Sequence, residues 1–286
     1  MPSAKKSNLI RSSAQASAVA KLEAENPQTW GRVFAVEFRR IILRPAVLIA
    51  MGIFVFAALV MTLGAMAVME WANQAGAEGV GTPSFTGFNM PLSLLSFALS
   101  ILCVSATSRD YTDGAAAATL VAIPRRERLV SVRMAIWAVT AFVVTLVALL
   151  LVMVVQLPRI DNFSQTIASA LCGSISSVVL VMVGFACATI FRRGAISMLV
   201  FLALDLIIPT GLSLGATFAP GVLHDILGFV TNALPGHAAD TFAQVSMLHS
   251  GASGDWVFAA VATLAWLVVS IVMSHLAFSR YAGASD

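Results

Sequence analysis

Charge is scarce in this chain. Of 286 residues, only 11% are Asp, Glu, Lys or Arg, where a soluble domain carries about 25%. Solvent-facing positions would have to be filled by Leu, Val and Ala, which excludes a water-soluble globular protein. No polar stretch is long enough to hold a soluble catalytic domain. There is no G-x-x-x-x-G-K-[ST] phosphate loop, so the chain does not bind and hydrolyse ATP by that route, and there is no H-E-x-x-H zinc motif. The three cysteines, Cys103, Cys172 and Cys187, all lie in apolar runs. An odd number so placed gives neither a disulfide framework nor metal spacing, and they read as small apolar packing residues. The first 45 residues contain no apolar core of a cleavable signal peptide. Alternating ten-residue segments are missing too, which excludes a β-barrel.

What is present is apolar: 59% of the residues. A helix crossing hydrocarbon needs about 20 such residues, and six runs qualify, at about 46–69, 90–107, 134–157, 167–191, 195–215 and 256–278. The expected fold is an all-α integral membrane protein, with a mobile cytoplasmic tail at 1–29 and a single six-span domain over 30–286. The first span is expected to be an uncleaved anchor. Of 17 basic residues, 16 fall before span one, in the loop after span two, in the Arg192-Arg193 turn or in the tail, and Arg159 stands alone on the other side. Positive residues stay cytoplasmic, so both termini are expected there. The net charge of +3 therefore reflects topology, and no nucleic-acid partner is expected.

Between the spans three regions stand out. Over Trp30–Arg44 a 3.6-residue period gathers Trp30, Val33, Phe34, Phe38, Ile41 and Ile42 on one arc, with Arg32 and Arg39 opposite. Such a helix suits the headgroup plane. Glu37 breaks the apolar arc, either because it pairs with Arg40 at i,i+3 or because it meets an arginine of another cytoplasmic element. In the loop after span two, Asp113 suits the N-cap of a short helix over 115–121, and Pro124 suits the first position of the next helix. The outcome would be a rigid elbow. Before span six, VLHDILGFVTNAL and PGHAADTFAQVSML predict two short helices separated by Pro235-Gly236. Each is too short to span, which predicts interfacial or re-entrant helices.

Few residues inside the spans carry chemistry. Asp205 lies about 15 Å into span five, with no basic residue on any span to pair with. A charged aspartate at that depth costs several kcal/mol, so it is protonated, hydrogen-bonded to Ser or Thr, or facing a wet cavity, and the functional reading is a pathway-lining residue against a structural hydrogen bond. Pro209, four residues on, frees a backbone carbonyl and kinks that helix. Ser169, Gly173 and Ser177, then Gly184 and Ala188, form a small-residue face for close helix packing, within the chain or in a dimer. His224, His237 and His249 are scattered among aspartates. His237 and Asp240 at i,i+3 would permit a shared metal, but a wetted polar surface is the simpler reading, and no cofactor is expected. Ser174 and His275 differ by about 18 Å in depth, too far for a protease pair.

Taken together, these features resemble the permease subunits of the ATP-binding-cassette (ABC) type 2 exporters. The resemblance covers about Trp30 to Arg280. Its best local match is the loop after span two: an acidic residue at Asp110, then Gly114, Leu120, Pro124, Arg126 and Arg133. The family more often has Glu where Asp110 stands and Thr where Ala115 stands. The resemblance implies that 110–122 forms a coupling helix seated on a separate ATPase subunit, with the interfacial helix bearing Trp30, Glu37 and Arg40 beside it. It also implies pairing with a second permease, a place in the bacterial cytoplasmic membrane, and a re-entrant region over 222–248 near an outer gate. The chain itself would be no enzyme. The alternative is a six-span scaffold or immunity-type protein that does not transport.

Overall fold

A computed structural model describes residues 30–74, 89–112, 126–160, 162–245 and 253–283. Ten α-helices run in order among them: α1 (Trp30–Ile41), α2 (Pro45–Gln74), α3 (Asn89–Thr112), α4 (Arg126–Val155), α5 (Phe163–Phe191), α6 (Gly194–Leu202), α7 (Ile208–Phe218), α8 (Val222–Ala233), α9 (Pro235–Ala243) and α10 (Ser253–Gly283). The described residues contain no strand. Six helices are long and apolar enough to cross a membrane, at Pro45–Ala72, Asn89–Tyr111, Leu129–Val155, Phe163–Phe191, Gly194–Phe218 and Ser253–Ser279. These match the six expected runs. The helices outreach the apolar runs at several ends, since backbone hydrogen bonding continues where apolar side chains stop.

α5 is the hub. It packs against α3, α4, α9 and α10, and its small residues make this possible. A Cβ on Gly173 would meet Leu92 and Leu149 at 3.1–3.4 Å, and one on Gly184 would meet Val104 and Ser100. Ser177 accepts a 2.9 Å hydrogen bond from Thr145 of α4. The small-residue face is thus used inside the chain. The helix starts at Asn162, whose side chain accepts from the Gln165 N–H, and stops at Arg192 in the left-handed region. The Arg192 guanidinium donates to the Ala277 carbonyl of α10 at 2.8 Å. This contact, and Ser108 of α3 beside Gly194, place the ends of α3, α5 and α10 and the start of α6 together.

α2, α6, α7 and α10 show the opposite pattern. Ile53, Phe56, Leu199, Leu214, Val261 and Leu264 are exposed. In water so much apolar surface would drive association, whereas hydrocarbon solvates it without cost.

The fifth span is not a continuous α-helix. A π turn over Ala203–Ile207 separates α6 from α7, and the Ile208 N–H reaches back to the Ala203 carbonyl. Pro209 explains it. Proline has no N–H to give the carbonyl four residues earlier, and its ring crowds that carbonyl. That carbonyl is Asp205's, so the expected kink takes the form of a widened turn centred on the one carboxylate of the span.

α8 and α9 are the two short helices foreseen before span six. Pro235 and Gly236 do not separate them but open α9, with Pro235 in the first turn. The missing proline N–H is one the first turn leaves unbonded anyway. His224 Nδ1 lies 2.8 Å from the Ala216 carbonyl and ties α8 to α7.

Candidate functional site

Two clusters of charged side chains lie at different levels of the bundle. The first joins α1, α3 and α4. Arg133 Nε donates to Glu37 Oε2 at 3.1 Å, and Arg133 Nη1 lies 3.2 Å from Asp110 Oδ2. Arg40 completes the ring at 3.5 Å from both Glu37 Oε1 and Asp110 Oδ1. Glu37 and Arg133 are 3% and 5% exposed. Glu37 pairs both with Arg40 at i,i+3 and with Arg133, 96 residues away on another helix. Burial makes this cluster costly to break, because a lost partner strands a charge away from water. Among the described residues, Arg133 Nη2 is buried without a hydrogen-bond partner. Arg133, Asp110 and Thr107 line an adjoining cavity of about 10 Å³, near the lower limit for one water.

The cluster fixes α1 to the two helix ends that flank residues 113–125. Ile41, Ile42, Phe34 and Phe38 pack into the same core as Leu129 and Trp137, so the apolar arc of α1 lies against the protein. Trp30 is exposed. Asp110 sits in the last turns of α3, not in a separate helix. Asp113, Gly114, Leu120 and Pro124, with the expected short helix and elbow, lie outside the described residues. Arg126 opens α4.

The second cluster lies where α9 meets α3 and the π turn. Ser93 Oγ donates to the Asp240 carboxylate, 3.2 Å from either oxygen. Ser176 of α5 donates to the Ala239 carbonyl at 2.7 Å. One turn earlier, Gly236 lies against Asp205: a Cβ there would overlap Asp205 Oδ1 and come within 3.3 Å of its carbonyl oxygen. The Asp205 carboxylate therefore faces the N-terminal turn of α9, where the partial positive charge of the helix favours an anion. Only glycine permits so close an approach. Sequence reading found Asp205 and Pro209 but missed Asp240 as the second carboxylate and Gly236 as the contact; a glycine directly after a helix-opening proline was the available signal.

Between Ser93 and Asp110, α3 rises about 26 Å, so the Ser93–Asp240 contact lies near the end of α3 opposite the first cluster. Among the described residues, no three His, Cys, Asp or Glu side chains are grouped to hold a metal. His249 lies outside that set. Compared with family models and with curated proteins, the chain matches none.

Proposed function

We propose that the chain is the membrane-spanning permease subunit of an ABC-type exporter, driven by a separate ATPase and moving a hydrophobic or amphipathic substrate out of the cytoplasm. The observation that carries this reading is the buried cluster of Glu37, Arg40, Asp110 and Arg133. It locks α1 to the ends of α3 and α4, so a push on the intervening loop reaches two spans and the amphipathic helix together. Without phosphate-loop chemistry of its own, such a chain needs an external source of work.

In this reading the cluster end is cytoplasmic, following the positive residues, and both termini lie there. The amphipathic α1 lies at the headgroup level with its apolar arc against the bundle, α8 and α9 form a re-entrant hairpin, and a second permease completes the pathway. Asp205 lines that pathway at the hinge made by the π turn. Affinity purification from native membranes tests the assignment. A phosphate-loop ATPase should co-purify in fixed proportion. Recovery of the chain without one, with function retained in cells lacking that ATPase, refutes it and favours a non-transporting scaffold.

A further inference from the structure

At the end of the bundle where α10 begins, a cavity of about 150 Å³ opens between three helices. It is lined by Asn232 of α8, Thr241 of α9, and Asp255, Phe258 and Ala259 of α10. That is room for several waters or a small organic group. Aromatic contacts fix the walls. Phe229 of α8 packs on Phe258 with ring centroids 5.0 Å apart, and Phe242 of α9 packs on Trp256 of α10 at 5.3 Å. The Trp256 indole donates to the Phe242 carbonyl at 3.0 Å, and the Trp266 indole to the Ala233 carbonyl at 2.8 Å. All three helices are pinned, so the cavity is preformed.

Its chemistry is one-sided. Asp255 carries a negative charge, and among the described residues no base forms an ion pair with it. Among the described residues, no base lines the cavity. The Asp255 carboxylate, the Asn232 amide oxygen and the Thr241 hydroxyl are three oxygen acceptors, one from each helix. A primary ammonium has three N–H donors to match them, and Phe258 adds an aromatic wall suited to an apolar stem. A metal ion fits less well: one carboxylate is too little anionic charge, and a ring face offers it no ligand.

We infer that this cavity is a binding site for a primary ammonium group carried on a short apolar stem. The group is supplied by a soluble amine or by the headgroup of an ethanolamine lipid. The site does not depend on the exporter reading, and its test needs no ATPase.

The full chain is reconstituted in phosphatidylcholine nanodiscs and titrated with 2-phenylethylammonium by ligand-observed NMR. Saturable binding is expected, with 2-phenylethanol and the N,N,N-trimethyl analogue each binding about tenfold more weakly, as expected for the loss of charge-assisted hydrogen bonds. Asp255→Asn keeps the shape of an exposed side chain and should also weaken binding about tenfold. Asp225→Asn, on the neighbouring helix but outside the cavity, should change nothing. Competition by added phosphatidylethanolamine would identify the lipid headgroup as the source, and its absence a soluble amine. Equal binding of the alcohol, unchanged binding in Asp255→Asn, or no saturable binding would overturn the assignment.

Discussion

Replacing Glu37 by Met removes one of two carboxylates from Arg133. The 3.1 Å contact to Nε disappears, while Asp110 still holds Nη1 at 3.2 Å. Both partners are nearly buried, so water cannot take over the lost interaction. Breaking a buried pair by removing one partner costs about 3–5 kcal/mol, and the surviving Asp110 contact puts this case near 3 kcal/mol. Replacing Arg133 by Met as well removes the stranded charge. Asp110 remains paired with Arg40, and two apolar side chains fill the space, so the double variant should recover most of the loss. Reversible unfolding of the detergent-solubilised protein in a denaturing surfactant titration, followed by tryptophan fluorescence, gives the three free energies. A single-variant loss under about 0.5 kcal/mol, or a double variant as unstable as the sum of the two singles, would refute the claim that Glu37 and Arg133 form one buried unit.

Three further outcomes follow from specific contacts. Gly236→Ala should destabilise the chain by about 1–3 kcal/mol, and much less in an Asp205→Ala background where Oδ1 is gone; additive losses in the same titration would contradict the contact. At Arg192, whose φ is 56°, Gly should be more stable than Ala by about 1–2 kcal/mol, although both lose the Ala277 bond; equal stabilities would show that the left-handed conformation is not held. Thr145→Val should cost about 1 kcal/mol by orphaning the buried Ser177 hydroxyl, and adding Ser177→Ala should restore it.

Much of this architecture is legible in the sequence because hydrocarbon enforces it. A membrane leaves the backbone no partner but itself, so six apolar runs predict six helices with little ambiguity. The amphipathic helix was legible from its period, and Glu37 from its intrusion into the apolar arc. Its partner was not, because Arg133 is 96 residues away and looks like any other basic loop residue. Asp205 was legible by rarity, and Pro209 predicted a distortion at the right place. The form of that distortion, a π turn, depends on how neighbouring helices hold the two halves. Asp240 reads in the sequence only as a neighbour of His237 among other acids before span six; its contact with Ser93, 147 residues earlier, has no local signal. Pro235-Gly236 suits a break as well as the helix start it forms, since the same dipeptide chemistry serves both and only the following residues decide.

The central claim is that the end of the bundle carrying the Glu37–Arg133 cluster receives an ATPase. A photo-crosslinking amino acid at Arg109, exposed at that end of α3, tests it in native membranes. Phe163, exposed at the start of α5 on the opposite end, is the control. The account predicts that a phosphate-loop ATPase is captured from position 109 and not from 163. Capture of no ATPase from 109, or capture from 163 instead, would contradict it.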